Sequence, residues 1–207
     1  TIEGVEKLDG CYHEIIPDRI EAGTFLIIAA AAGEKVIVQN VIPQHLEAVT
    51  SKLKEIGVKM DIIGDSIIVH GGIENLKPVD IRTQVYPGFA TDLQQPLTAL
   101  LTQCQGVSQV VETIYPERFG HCYQLNSMGA KIDQEEAMCY VNGPTKLHGN
   151  RVYATDLRCG AALIVAALLA DGVTEIGNVY HIDRGYENID HKLISLGAVI
   201  TRRQVED

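Results

Sequence analysis

Three aspartates each precede an apolar run with helical spacing, and their side chains could do acid–base chemistry. They are Asp18, Asp92 and Asp156, and the last two lie in the same tetrapeptide, Ala-Thr-Asp-Leu, at 90–93 and 154–157. An aspartate before a helix can accept hydrogen bonds from the first N–H groups. A carboxylate at a helix start beside cations also stays ionised and can take a proton from a hydroxyl. The sequence leaves both roles open, and the shared tetrapeptide predicts that the two loops are built alike.

Three arginines lie where such carboxylates could meet an anionic ligand. Arg118 and Arg184 each follow an acid at the predicted start of a second helix, and Arg158 lies two residues after Asp156. They could be surface cations in ordinary ion pairs, which contribute little to stability. Planar guanidinium groups are also suited to bind carboxylates and phosphates with two parallel hydrogen bonds. Because the loops of repeated units should meet on one face, both interpretations stay open.

The composition restricts the class of protein. Of the 207 residues, 46% are hydrophobic, which is enough for a substantial core, and the formal net charge is −10. That charge disfavours nucleic acid or an anionic membrane surface as a partner but permits a small anion held by a few arginines. The five cysteines lack C-x-x-C spacing and are expected to be reduced thiols. With no leader-like start, membrane-length apolar run, metal motif or cofactor motif, we expect a soluble cytoplasmic protein.

An internal repeat sets the expected architecture around these residues. A Leu-x-x-x-Gly-Ala phrase ends at Ala130 and again at Ala198, and a fainter copy ends at Val58. The glycines of the three copies are 129 − 57 = 72 and 197 − 129 = 68 residues apart. The repeat predicts three units, each with the order helix, strand, helix, strand, strand. Their approximate ranges are 14–78, 79–148 and 149–203. Such alternation indicates an α/β fold, and the widely apolar helices are expected inside, with the sheets outside.

Apolar spacing and caps place the helices that should carry the candidate residues. The first helix of each unit is predicted at Arg19–Ala32, Leu93–Cys104 and Leu157–Ala170. The second helix of each unit is predicted at Pro43–Ile56, Glu117–Met128 and Arg184–Leu196. The chain also starts in what reads as a strand, Thr1–Val5, without an initiator methionine. We therefore expect it to be part of a longer protein.

Several long motifs resemble one known family. They lie at 90–94, 116–119, 154–158 and 180–187, with further matches at 1–5 and 17–21. Over essentially all 207 residues the chain resembles the C-terminal half of the UDP-N-acetylglucosamine enolpyruvyl transferases. The resemblance implies one domain of a two-domain inside-out α/β barrel, in which each domain has three βαβαββ units. It agrees with the three units read from the repeat.

The resemblance also implies an activity. Members of this family transfer the enolpyruvyl group of phosphoenolpyruvate to the 3′-hydroxyl of UDP-N-acetylglucosamine and release phosphate. The reaction is the first committed step of peptidoglycan synthesis in the bacterial cytoplasm and needs no organic cofactor. The implied partners are these two substrates and the N-terminal domain of the same enzyme, with neither nucleic acid nor membrane.

Roles for individual residues follow from the resemblance alone. Asp92 matches the aspartate that contacts the sugar 3′-hydroxyl and serves as general base. Ile114 matches a contact to the nucleotide sugar, and Arg184 matches an arginine that binds the phosphoenolpyruvate carboxylate. The other implied active-site groups are Asp156, Arg118 and Arg158. Arginines would bind the anion while the base waits beside the hydroxyl.

Other functions remain open from the sequence. The sister transferase that acts on shikimate 3-phosphate shares the fold, and a ligand-binding module of the same fold without chemistry is also possible. The family further uses a Lys-Asn pair and a loop cysteine in its N-terminal half, and none of the five cysteines here matches that thiol. We therefore expect the isolated chain to be inactive.

Overall fold

The computed structural model of the chain describes residues 1–203. The helices, in chain order, are α1 (Arg19–Ala32), α2 (Glu47–Ile56), α3 (Thr91–Leu101), α4 (Gly120–Ser127), α5 (Leu157–Leu169), α6 (Tyr180–Asp183) and α7 (Ile189–Ser195). The strands are β1 (Lys35–Val38), β2 (Lys59–Ile63), β3 (Ser66–His70), β4 (Ile81–Arg82), β5 (Gly106–Val111), β6 (Ile132–Glu135), β7 (Met138–Gly143), β8 (Arg151–Tyr153) and β9 (Glu175–Gly177). A short 3₁₀ helix, Pro43–Leu46, leads into α2.

Three helices, one from each predicted unit, pack against one another in the interior. They are α1, α3 and α5, and each contacts the other two. Their buried faces are built mainly of alanine, leucine, isoleucine and valine. Gly23 allows α1 and α3 to approach closely, because a Cβ there would lie 2.6 Å from Leu93 Cδ1. The sheets are separate from one another. The first sheet contacts α1 through β1 and β3, and the second contacts α3 through β5 and β7.

Residues 1–203 form three sheets. Within these residues, only the middle unit has the full order βαβαββ. Its four strands are arranged β4-β5-β7-β6, with β4 parallel to β5 and the other pairs antiparallel. The first sheet has the order β1-β3-β2 and the third pairs β8 with β9 in parallel. Residues 1–17 form neither helix nor strand, so the prediction of a strand at Thr1–Val5 is wrong. No strand follows α7 up to residue 203, and the closing strands expected in the third unit are absent there.

The predicted second helix of the third unit is wrong. The sequence predicted Arg184–Leu196, but α6 ends at Asp183 and α7 begins only at Ile189. Gly185 packs against α5, where a Cβ would lie 2.5 Å from Leu157 Cδ2. Asn188 then adopts a left-handed conformation with φ 48°, which a continuous helix does not allow. Arg184 consequently follows a short helix instead of starting a long one.

The remaining helix predictions are correct in position, with shifts at their ends. Helix α1 has the predicted bounds, and the helix predicted from Glu117 begins three residues later, at Gly120. Helix α3 begins at Thr91, two residues before the predicted start at Leu93. Among residues 1–203, no helix combines the length and hydropathy needed to cross a bilayer.

Candidate active site

The carboxylate of Asp92 lies at the centre of a cluster formed by the second and third units. Asp92 is the second residue of α3, and its Oδ1 accepts hydrogen bonds from Arg118 Nη1 at 3.1 Å and Arg158 Nε at 3.0 Å. The side chain of Asp92 is 32% exposed, and that of Arg158 is 15% exposed. Both bonds end on Oδ1, and no protein group among residues 1–203 is hydrogen-bonded to Oδ2. One oxygen is thus held by two cations while the other can meet a ligand.

Arg158 is held on two sides. It is the second residue of α5, and its Nη1 donates to the phenolic oxygen of Tyr186 at 3.1 Å while its Nε binds Asp92. Burial alone would lower the pKa of the guanidinium. The Tyr186 phenol and the Asp92 carboxylate outweigh burial and leave that pKa raised, so Arg158 remains cationic. Burial raises the pKa of the Tyr186 phenol, which remains neutral and able to donate its own proton.

Arg118 reaches the same carboxylate from the loop between β5 and α4. Its Nη1 also donates to Thr91 Oγ1 at 3.1 Å, and its guanidinium carbon lies 4.9 Å from the centre of the Tyr115 ring. The Arg118 backbone N–H donates to the Tyr115 carbonyl at 2.9 Å, which folds the loop into a turn. These contacts fix the guanidinium against the first turn of α3.

A buried glutamate that is not among the predicted site residues organises this loop. Glu112 is 1% exposed, and its carboxylate accepts four hydrogen bonds. The donors are Thr83 Oγ1 (2.6 Å), Thr91 Oγ1 (2.8 Å), Ile114 N (2.8 Å) and Tyr115 N (3.1 Å). Such full satisfaction is what a buried carboxylate requires. Through Thr91 and the two amides, Glu112 holds the loop of Arg118 beside Asp92.

Two of the predicted catalytic residues lie apart from this hydrogen-bonded cluster. Asp156 is the N-cap of α5, and its Oδ1 accepts from the N–H groups of Arg158 at 2.8 Å and Cys159 at 3.1 Å. Arg184 is exposed and follows α6, and no hydrogen bond or ion pair of its side chain is formed among residues 1–203. Ile114 is half-buried, and its N–H is fixed by Glu112. The structure thus brings Asp92, Arg118 and Arg158 into contact, while the catalytic and binding roles of all six residues stay predictions.

The cluster is suited to general base catalysis next to an anion. The carboxylate lies in the first turn of α3, where the helix dipole favours negative charge. Its Oδ2 can accept a proton from a hydroxyl, and the fixed guanidinium groups can stabilise negative charge that develops beside it. Among residues 1–203, no three side chains of His, Cys, Asp or Glu are grouped as metal ligands.

The fold defines the class of protein. Over 89% of this chain and 44% of the other, it superimposes on the enolpyruvyl transferase NikO from Streptomyces tendae, with a TM-score of 0.81 and 28% sequence identity. It also matches EPSP synthase from Acinetobacter baumannii, with a TM-score of 0.60, 16% identity and coverage of 77% and 38%, which shows a shared fold. The predicted enolpyruvyl transferase fold is thereby confirmed.

The sequence comparison then gives the family. Residues 1–193 match the family model described as EPSP synthase (3-phosphoshikimate 1-carboxyvinyltransferase), and the chain belongs to this family. It is 58% identical over 201 residues to UDP-N-acetylglucosamine 1-carboxyvinyltransferase 2 of Listeria monocytogenes, covering 97% of this chain and 47% of that protein. It is 54% identical over 206 residues to the protein of the same name from Bacillus subtilis, covering 100% and 48%. The chain spans about half the length of the curated relatives it matches.

Proposed function

We propose that this chain is the C-terminal half of an enzyme that transfers the enolpyruvyl group of phosphoenolpyruvate to the 3′-hydroxyl of UDP-N-acetylglucosamine and releases phosphate. The observation that supports this best is the Asp92 carboxylate, which is held at Oδ1 by Arg118 and Arg158. The names of relatives at 54% and 58% identity support the nucleotide sugar as acceptor. By the same proposal, the enzyme acts in peptidoglycan synthesis in the cytoplasm.

The chemistry requires a base beside a hydroxyl and cations beside an anion. Asp92 Oδ2 takes the proton of the 3′-hydroxyl as the hydroxyl oxygen attacks C2 of the enolpyruvyl group. That carbon becomes electrophilic as C3 is protonated, and the addition gives a tetrahedral intermediate with a methyl group at C3. Loss of phosphate from C2 together with a proton from C3 then restores the double bond and completes the transfer. Arg118 and Arg158 hold Asp92 in place and offset the negative charge of the substrates. In this proposal Arg184 binds the carboxylate of phosphoenolpyruvate and Ile114 contacts the nucleotide sugar, while Asp156 manages charge near the reacting centre.

The predicted units at about 14–78, 79–148 and 149–203 form, in this proposal, the C-terminal domain. The partner is the N-terminal domain of the same enzyme. All three sheets have edge strands open to further pairing within residues 1–203, namely β1 and β2, β4 and β6, and β8 and β9. Since the relatives are about twice as long, we expect the 207-residue chain alone to show no turnover.

A substrate comparison with the complete enzyme tests the proposal. Phosphate release is measured with phosphoenolpyruvate and either UDP-N-acetylglucosamine or shikimate 3-phosphate. We expect turnover with the nucleotide sugar alone. Turnover with shikimate 3-phosphate instead would support the sister reaction, because the matching family model carries that enzyme's name. Tight binding of both ligands without phosphate release would support a non-catalytic binding module.

A further inference from the structure

Tyr186 is a buried residue between α6 and α7 for which the proposed reaction has no direct use. It is 1% exposed, and its hydroxyl lies 2.8 Å from Thr24 Oγ1 and 3.1 Å from Arg158 Nη1. A guanidinium can only donate, so the phenolic oxygen accepts from Arg158. The phenol and Thr24 Oγ1 share the second hydrogen bond, in which either hydroxyl can donate. The cation thus fixes the direction of the bond between Tyr186 and Arg158.

These contacts join all three units in a single line. Thr24 lies in α1 of the first unit, Tyr186 and Arg158 belong to the third, and Asp92 lies in α3 of the second. The bonds run from Thr24 to Tyr186, from Tyr186 to Arg158, and from Arg158 to Asp92. Thr24 is fully buried, so water does not compete for the end of the line. A substitution at Thr24 in α1 can therefore alter the position of the Asp92 carboxylate without a direct contact to a substrate.

We propose that Tyr186, itself oriented by Thr24, is a positioning residue that holds the Arg158 guanidinium against Asp92 for the transfer reaction. The proposal rests on the proposed function, because its effect is read from turnover. A long arginine side chain has several rotamers, and a bond at Nη1 in addition to the bond at Nε restricts it to one of them. When Arg158 is restricted in this way, the Asp92 carboxylate that it binds is also held in the position from which it can take the proton.

The first measurement replaces Tyr186 with phenylalanine in the complete enzyme. Tyr186→Phe keeps the buried ring and removes only the hydroxyl. We expect kcat to fall about tenfold, as the loss of one hydrogen bond to a charged group allows, with KM for either substrate changed less. A kcat equal to that of the unaltered enzyme, with the fold intact, would overturn the proposal.

A pair of substitutions at Thr24 distinguishes positioning from packing. Thr24→Val keeps the shape and removes the hydroxyl, whereas Thr24→Ser keeps the hydroxyl and removes a methyl group. Positioning predicts that kcat falls about threefold in Thr24→Val and is retained in Thr24→Ser, since the loss of a neutral partner is smaller than that of a charged one. If packing governed the effect, the order would be reversed, because Ser would leave a cavity and Val would not.

The double variant tests whether Thr24 acts through the phenol. In the Tyr186→Phe background, Thr24→Val should lower kcat no further, because the line is already broken. An equal further fall would overturn the proposed order of contacts. The unaltered enzyme is the reference for the proposed function and for the positioning role of Tyr186. If it releases no phosphate from phosphoenolpyruvate and UDP-N-acetylglucosamine, the proposed function fails; if it is active and Tyr186→Phe equals it, only the positioning role fails.

Discussion

The two Ala-Thr-Asp-Leu segments are identical in sequence, yet their helices begin at different places. Helix α3 begins at Thr91 after Ala90, which has φ −68° and ψ 130°, so Asp92 already lies inside the helix. Helix α5 begins at Leu157, and Asp156 itself is the N-cap, with φ −157° and ψ 176°. Because the two helices start two residues apart within the tetrapeptide, Asp156 caps its helix, whereas Asp92 lies inside its helix and pairs with two arginines. The expectation that the two loops are built alike is wrong.

The residues that follow and face each segment account for the difference. In α3, Pro96 has no N–H to donate to the carbonyl of Asp92, its partner one turn back. Thr91 Oγ1 donates to Glu112 and accepts from Arg118, which anchors the start of α3 to β5 and its loop. Thr155 is exposed, and its hydroxyl donates to Asp156 Oδ2 at 3.3 Å. Tertiary partners, and not the tetrapeptide, decide what each aspartate does.

The largest expected effect is on the reaction. We expect Asp92→Asn to lower kcat by about 10²–10⁴-fold in the complete enzyme, because an amide cannot take a proton from the hydroxyl. Asp156→Asn should lower kcat less, because asparagine caps a helix as well as aspartate does. Steady-state phosphate release measures both, with Asp133→Asn as a control of the same chemistry on an exposed strand. Equal losses at positions 92 and 156 would show that the charge of Asp156 near the reacting centre matters as much as the Asp92 carboxylate.

The parts of the fold that sequence predicts are those with a local cause. Asp18 directly precedes the helix predicted at Arg19–Ala32, and it is the N-cap of α1, where its Oδ1 accepts from Ile20 N at 2.7 Å and Glu21 N at 3.3 Å. Gly57 directly follows the helix predicted at Pro43–Ile56, and it ends α2 with φ 109°. Both signals act within one helical turn, so neighbouring residues suffice to find them.

The parts that the sequence could not predict depend on distant partners. Nothing near Glu112 marks it as buried, and its hydroxyl donors at Thr83 and Thr91 are 29 and 21 residues away. The break before α7 depends on the approach of Gly185 to Leu157 on another helix. The convergence of Arg118 and Arg158 was left open for the same reason, since only the assembled loops bring them to one carboxylate.

The next largest effect should be on the stability of the first segment. Thr91→Val leaves the buried Glu112 carboxylate with one donor fewer and removes an acceptor for Arg118. We expect the free energy of unfolding to fall by about 1–3 kcal/mol, the cost of an unsatisfied buried group. Urea unfolding measures it, and Thr91→Ser, which keeps the hydroxyl, should recover most of the loss. An unchanged midpoint for Thr91→Val would show that Glu112 does not depend on this threonine.

The second segment should lose stability through its cap. Asp156→Ala removes the acceptor for the N–H groups of Arg158 and Cys159. We expect the free energy of unfolding to fall by about 0.5–2 kcal/mol. Asp156→Asn is the matched control and should be near the unaltered protein. Asp92→Ala removes no cap, so it should destabilise less than Asp156→Ala by the same urea measurement. The reverse order would mean that the ion pairs of Asp92 stabilise the fold more than the cap does.

The smallest expected effect tests whether the second threonine matters at all. Thr155→Val removes a hydroxyl that is exposed and bonded at 3.3 Å to its own neighbour, so water can replace the lost partner. We expect the free energy of unfolding to change by less than about 0.5 kcal/mol, the usual range for surface substitutions. Set beside Thr91→Val, this gives the same chemical change in the same tetrapeptide with a severalfold different cost. A loss at Thr155 as large as that at Thr91 would contradict the argument that buried partners distinguish the segments, because Thr155 has no buried carboxylate to satisfy among residues 1–203.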